Sequence, residues 1–175
     1  MFKPKIKTKE PENEIKAYEY AVFLLSLQLR TVGEVREKMS ARGYTMSVVN
    51  RVITLLLGQK YLDDERYAEV FLDNLKQYKN LGYFGIKKKF LAKKLPNDLI
   101  EKVLAEGLSV EEELKIAKRF LKKEGVAVNS ATADSEAEEN SYSTYNSEQS
   151  KGKQKTTQRL KARGFRGDVR SKLLF

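Results

Sequence analysis

Three stretches of this chain carry the same pattern, and that recurrence limits the folds open to it more than any other feature. Met39-Ser40-Ala41-Arg42-Gly43-Tyr44 is followed, after three residues, by Val48-Val49 and then Val52-Ile53. Phe90-Leu91-Ala92-Lys93-Lys94-Leu95 comes 51 residues later and precedes Leu99-Ile100 and Val103-Leu104. Leu160-Lys161-Ala162-Arg163-Gly164-Phe165 comes 70 residues further on and precedes Val169 and Leu173-Leu174. Each copy has a large apolar residue, Ala, a basic residue and a second large apolar residue in fixed register, then apolar residues at helical spacing. Each therefore predicts two short helices joined by a tight turn. Gly43 and Gly164 stand where the first helix must stop, and glycine accepts the left-handed conformation of such a stop. The second copy has Lys94-Leu95-Pro96 there, and Pro96 suits the entry to the next helix better than the continuation of the last.

A longer helix is expected before each pair. Ile15, Tyr18, Val22, Leu25 and Leu29 form one stripe, Tyr67, Val70, Phe71, Leu75 and Tyr78 a second, and Val110, Leu114, Ala117 and Leu121 a third. Ala68 stands 51 residues after Ala17, the same offset as the pairs, whereas Ala117 follows Ala68 by only 49 while the next pair is 70 away. About 21 residues are thus inserted in the third copy. Gly125 to Ser150 has six serines, five acidic residues and no Lys or Arg, the composition of a flexible acidic linker. Thr31 with Glu34, and Ser109 with Glu112, have the spacing in which a hydroxyl caps one amide and a glutamate reaches back to another.

The expected fold is all-α: a tandem array of three three-helix repeats, elongated and curved, with an acidic, Ser-rich insertion in the third. The expected divisions are a flexible tail over 1–14, repeats over 15–60 and 61–106, and a third over 107–175 interrupted at about 125–150. Units this small bury little alone and gain stability from their neighbours.

Composition removes most catalytic options. Neither Cys nor His is present, so there is no thiol nucleophile, no imidazole acid or base and no Cys or His metal ligand. Gly82-Tyr83-Phe84-Gly85 lacks the spacing of a phosphate-cradling loop. No enzyme activity, catalytic residue, metal or cofactor is expected. The start of the chain shows neither a signal peptide nor an anchor, and no apolar run is long enough to span a bilayer, so a cytoplasmic location without membrane contact is expected.

With 34 Lys and Arg against 24 Asp and Glu, the formal charge is +10, which favours a polyanionic or acidic partner. Lys151 to Phe175 carries nine basic residues against Asp168 alone, a net charge of +8. Lys87, Lys88, Lys89, Lys93 and Lys94 form a second cluster. The candidate contacts are these five with Lys155, Arg159, Lys161, Arg163, Arg166 and Arg170, acting on phosphates or carboxylates. The four arginines are expected to lie mostly off the apolar stripe of Leu160, Phe165, Val169 and Leu173. Asp63, Asp64 and Glu65 read as the start of a helix, with Asp63 as cap, rather than as a metal cluster. Arg66 reads as structural, and Tyr83 and Phe84 as packed under the second repeat rather than as platforms for bases.

Leu62-Asp63-Asp64-Glu65-Arg66-Tyr67-Ala68 and Leu160-Lys161-Ala162-Arg163-Gly164-Phe165, with the order of three helical repeats from about Ala17 to Leu174, resemble the RecX regulatory family. Tyr67 stands where that family usually has Phe, and Leu95-Pro96 where it usually has Gly-Ile. The motif residues are Leu62, Asp63, Asp64, Arg66, Tyr67, Ala68, Gly164 and Phe165. The resemblance implies a non-enzymatic modulator that binds the RecA filament, with the single-stranded DNA within it or DNA non-specifically, in DNA repair and recombination linked to the SOS response; a monomer is expected. The rival expectation is an autonomous DNA-binding protein whose helix pairs act as helix-turn-helix readers.

Overall fold

The structure, a computed structural model, describes residues 7–125 and 142–174, with side chains over 7–125 and 152–173. Among the described residues there are nine α-helices and no strand. They are α1 (Glu14–Leu27), α2 (Val32–Arg42), α3 (Met46–Gly58), α4 (Asp64–Tyr78), α5 (Tyr83–Ala92), α6 (Asn97–Gly107), α7 (Val110–Lys123), α8 (Tyr142–Ala162) and α9 (Gly167–Leu174). The all-α class expected from the sequence is therefore observed among the described residues.

The chain divides into two compact units. One holds Met1–Phe71 with Lys89–Val103, the other Leu72–Lys88 with Leu104–Phe175, so that α4, α5 and α6 each contribute to both. In the first unit the core is built on Ala17, Ala21, Val35, Met39, Val48, Val49, Val52 and Leu56, with α1 against α3 and α2 against both. Residues of the N-terminal segment are tied to the α2–α3 turn: Thr8 N–H donates to the Arg42 carbonyl at 2.8 Å and Thr45 N–H to the Pro11 carbonyl at 3.0 Å. In the second unit, Ile116, Ala117, Phe120 and Leu121 of α7 are buried, as are Leu160 of α8, Phe165 of the turn after it and Val169 of α9. Phe120 and Phe165 stack with centroids 6.3 Å apart.

The expected stripes are right in period but partly wrong in face. Ile15 and Leu29 are exposed, and Ala17, Ala21 and Leu24 are the residues of α1 that are buried, with Tyr18, Val22 and Leu25 at the margin. On α4 it is Ala68, Leu72 and Leu75 that are buried, while Val70 and Tyr78 are exposed. Both helices have apolar residues on more than one face, so the period alone leaves the buried face open. Alanine settles it, because it lets two helix backbones approach most closely.

The turns behave as their residues require. Gly43, at φ 101°, ends α2, and Gly164, at φ 80°, ends α8. In the second copy Lys94 itself takes φ 61°, a left-handed position that costs a side chain about 1 kcal/mol. Pro96 accepts from Ile100 N–H at 3.0 Å and so opens α6, as expected. α8 begins at Tyr142, so residues 142–150, read above as the end of a flexible loop, are helical. No Pro or Gly interrupts 142–151, and a helix anchored by Thr156 and Leu160 extends at little cost per residue. The remainder of the expected insertion, 126–141, lies outside the described residues.

Candidate interaction surface

One junction occurs in each unit, built from residues at matching offsets. In the first, Thr31 is fully buried. It accepts from Glu34 N–H at 3.1 Å while Glu34 reaches back to Thr31 N–H, the reciprocal cap expected from the spacing. The Thr31 hydroxyl also donates to the Lys93 carbonyl. Asp64, in the first turn of α4, accepts from Val32 N–H at 2.9 Å, while Asp63 caps its own helix by accepting from Arg66 N–H at 2.9 Å. Adjacent carboxylates thus serve two different helix N-termini, and Asp63 is the cap the sequence indicated.

In the second unit Tyr83, 51 residues after Val32, donates its N–H at 3.0 Å to Glu113, 49 residues after Asp64. Gly82 N–H donates to the Arg163 carbonyl at 3.0 Å and Phe84 N–H to the Gly164 carbonyl at 2.9 Å. This approach needs glycine on both sides. A Cβ on Gly164 would lie 2.8 Å from Gly85 Cα, and one on Gly82 would collide with the Phe165 backbone. Glu113 is completely buried, and the same oxygen that takes Tyr83 also takes Arg166 N–H at 2.9 Å. Its other oxygen takes the Arg166 guanidinium.

Sequence reasoning missed Thr31 as a bridge, Asp64 as a cap for another helix, and Glu113 altogether. The one signal for Glu113 was its place in the 49-residue offset from Asp64. Burial raises the Asp64 carboxyl above its ordinary value, with Asp63 and Glu34 adding to the rise and the Val32 N–H opposing it.

These junctions sort the candidate cations. In the first cluster Lys93 is half-buried, 3.0 Å from Glu34, and its ammonium lies 5.9 Å from the Tyr67 ring and 5.8 Å from that of Phe71. Burial works to lower Lys93, but Glu34 and Tyr67 outweigh it and hold the group above its ordinary value. Lys94 carries the left-handed turn and sits 3.7 Å from Glu37. Lys88 and Lys89 are exposed on α5, and Lys87 is half-buried.

In the C-terminal group Lys155, Arg159, Lys161 and Arg163 are exposed. Arg159 is 3.6 Å from Glu124, and the Arg163 guanidinium lies over Phe120 at 5.1 Å. Arg166 and Arg170 differ from the expectation for the arginines. Arg166 is held by Glu113, donates to the Leu108 carbonyl at 3.3 Å and covers the Tyr83 ring at 5.1 Å. Arg170 buries its Nε without a hydrogen-bond partner. Arg170 lies on the short helix α9 and Arg166 just before it, where the apolar positions leave little room for a separate charged face, so both arginines share in the packing.

The motif residues are placed structurally. Leu62, Ala68 and Phe165 are buried, Gly164 makes the turn, Tyr67 packs beside Phe71, and Arg66 is exposed. Phe84 departs from its expectation: it is 59% exposed, while Tyr83 beside it is half-buried. Among the described residues no helix is long and apolar enough to cross a membrane, and no cluster of acidic side chains is arranged to hold a metal ion.

Comparison with known proteins agrees with this geometry. Residues 17–56 match the family model described as RecX, first three-helix domain. The chain is 31% identical over 162 residues to the regulatory protein RecX of Leuconostoc mesenteroides subsp. mesenteroides, which covers 92% of this chain and 54% of that protein. It is 33% identical over 111 residues to the regulatory protein RecX of Lactobacillus delbrueckii subsp. bulgaricus, covering 63% of this chain and 41% of the relative. The chain thus spans about half the length of the relatives it matches. Its fold is that of the crystal structure of RecX from Lactobacillus salivarius, with a TM-score of 0.71 at 20% identity over 92% of this chain and 94% of the other. A second RecX crystal structure aligns with a TM-score of 0.72 at 21% identity, over 91% of this chain and 72% of the other. Motif residues that build the turns and caps, a sequence relative across nine-tenths of the chain and a shared helical fold lead to one conclusion: this chain is similar to the RecX regulatory proteins in sequence and shares their fold.

Proposed function

We propose that the chain binds the RecA nucleoprotein filament and restrains its assembly and recombinase activity, acting by binding rather than by catalysis. Similarity to a family of regulators carries this reading, and the distribution of charge supports it. Once Lys93, Lys94, Arg166 and Arg170 are assigned to turns, ion pairs and packing, the candidate cations that remain exposed on α5, α8 and the turn after it are Lys88, Lys89, Lys155, Arg159, Lys161 and Arg163. These are the contacts for phosphates or for acidic RecA side chains, and they give affinity and salt dependence without sequence readout.

The test is RecA assembly on single-stranded DNA followed by light scattering. Slower assembly is expected at well below one chain per RecA subunit, because a bound chain blocks addition at a growing end. No effect at an equimolar ratio refutes the proposal. Tight binding to one duplex sequence in the absence of RecA favours the autonomous DNA-binding reading instead.

A further inference from the structure

The sequence favours Phe84 as a core residue, yet its ring is exposed, and the surroundings of that ring are unusual for this chain. Phe84 is fixed at the start of α5 by its N–H bond to the Gly164 carbonyl, which puts it beside the Arg163-Gly164 turn of the same compact unit. Lys88 is four residues on along α5, on the same face and one turn away, and both Lys88 and Arg163 are exposed. The Phe84 ring meets Tyr83 edge to face, with centroids 5.3 Å apart at 85°, and Tyr83 is itself covered by the Arg166 guanidinium. Of the carboxylates near Arg166, Glu113 is fully buried and committed to Arg166, Tyr83 and the chain before α9, while Glu111 is exposed. The surface thus offers one rigidly placed open aromatic face with Lys88 one helical turn away and Arg163, whose guanidinium lies over Phe120, on the adjoining turn.

We propose that Phe84, Lys88 and Arg163 form a contact for unpaired nucleic acid, the ring stacking on one base and the two cations taking the phosphates on either side. The chemistry selects this occupant. A bare apolar protein surface gains nothing from the flanking cations, and a duplex keeps the faces of its bases covered. A single strand offers flat, polarisable base faces spaced between negative charges, which is the complement of an aromatic ring between two cations. This deepens the reading above, on which it rests for the presence of a single strand: it names where, and by which part of the nucleotide, that strand is held.

The experiment measures fluorescence anisotropy of the full chain, without RecA, on a labelled oligothymidylate and on a duplex of the same length, over a range of salt. Phe84→Leu keeps an apolar side chain but removes the ring. It is expected to lose roughly tenfold in affinity for the single strand, within the range for one stacked base. Its duplex affinity and its salt dependence should stay those of the parent. Phe84→Tyr is expected to bind like the parent, and circular dichroism checks that all variants fold. The double variant Lys88→Gln, Arg163→Gln should weaken both ligands and flatten the single-strand salt slope by about 1.4, from two phosphates lost.

The proposal is overturned if Phe84→Leu binds oligothymidylate as the parent does, if it loses equally on the duplex, or if the parent does not bind oligothymidylate. It is also overturned if polyglutamate competes as well as the oligonucleotide, which would assign the patch to an acidic protein. RecA assembly is followed separately on the same proteins. A parent that fails to slow RecA yet shows Phe84-dependent strand binding refutes only the proposed function. A parent that slows RecA while Phe84→Leu binds the strand normally refutes only the stacking contact.

Discussion

Glu113 on α7 and Arg166 before α9 are bound twice over, through the Arg166 amide at 2.9 Å and through its guanidinium, with the carboxylate excluded from solvent. An ion pair buried on the acid side is costly to break by halves, because the remaining charge stays out of water without a partner.

Arg166→Ala should therefore destabilise the protein, by about 3 kcal/mol, the lower end for uncovering a buried charge, since the arginine itself is partly exposed. Glu113→Gln should cost less than Glu113→Ala, because one amide oxygen can still accept both backbone N–H groups. In Glu113→Gln, removing Arg166 as well should cost far less than it does in the parent. Urea denaturation of the four proteins gives this comparison, and additive losses would show that the two side chains act independently.

Gly164 combines a left-handed backbone with a position where an added Cβ would collide with the Gly85 nitrogen. Gly164→Ala should lower stability by well over the ~1 kcal/mol of the backbone conformation alone, because the Gly82–Gly85 segment must also move. Gly152 is the control: it lies within α8 with open space around it, so Gly152→Ala should stabilise by up to about 1 kcal/mol. Thermal melts of the two variants should shift in opposite directions.

Asp64 gives a pH dependence with a defined sign. Its folded carboxyl is raised above the unfolded value, so the folded state binds the proton more tightly, and stability from this group is largest at low pH. That stability is lost as the pH rises from the ordinary carboxylate value through the raised one. Asp64→Asn keeps an acceptor for the Val32 N–H without the buried charge, so it should match or exceed the parent at neutral pH. This advantage should vanish below the ordinary carboxylate value. Asp64→Ala should lose about 1 kcal/mol at low pH, as for a lost cap, and less as the pH rises. Denaturation midpoints between pH 3 and pH 8 test this, and an Asp64→Asn deficit that grows with pH would contradict it.

The sorted cations differ in what their loss should affect. Lys155→Gln with Lys161→Gln should leave the melting temperature within the small range usual for exposed sites, about 0.5 kcal/mol, and should weaken binding to polyanions in a salt-dependent way. Lys93→Ala should instead lower stability, because Glu34 would be left half-buried beside the cap of α2. Heparin retention and melting curves on the same samples separate the two effects.

Local features of this protein were set by its sequence: helix starts at Thr31, Asp63 and Ser109, stops at Gly43 and Gly164, the entry at Pro96, and an all-helical fold with matched offsets. Caps and turns depend on groups within a few residues of one another, so a short window contains the whole cause. The buried faces of α1 and α4, the bridging role of Thr31, the second function of Asp64 and the placement of Glu113 required the tertiary structure. Each depends on a partner 30 or more residues away, and which partner arrives is decided by how closely whole helices pack. The same reason divided the lysines and arginines, which are equivalent in charge along the chain: packing drew Lys93 and Arg166 inward to carboxylates and left Lys88, Lys155 and Lys161 in solvent.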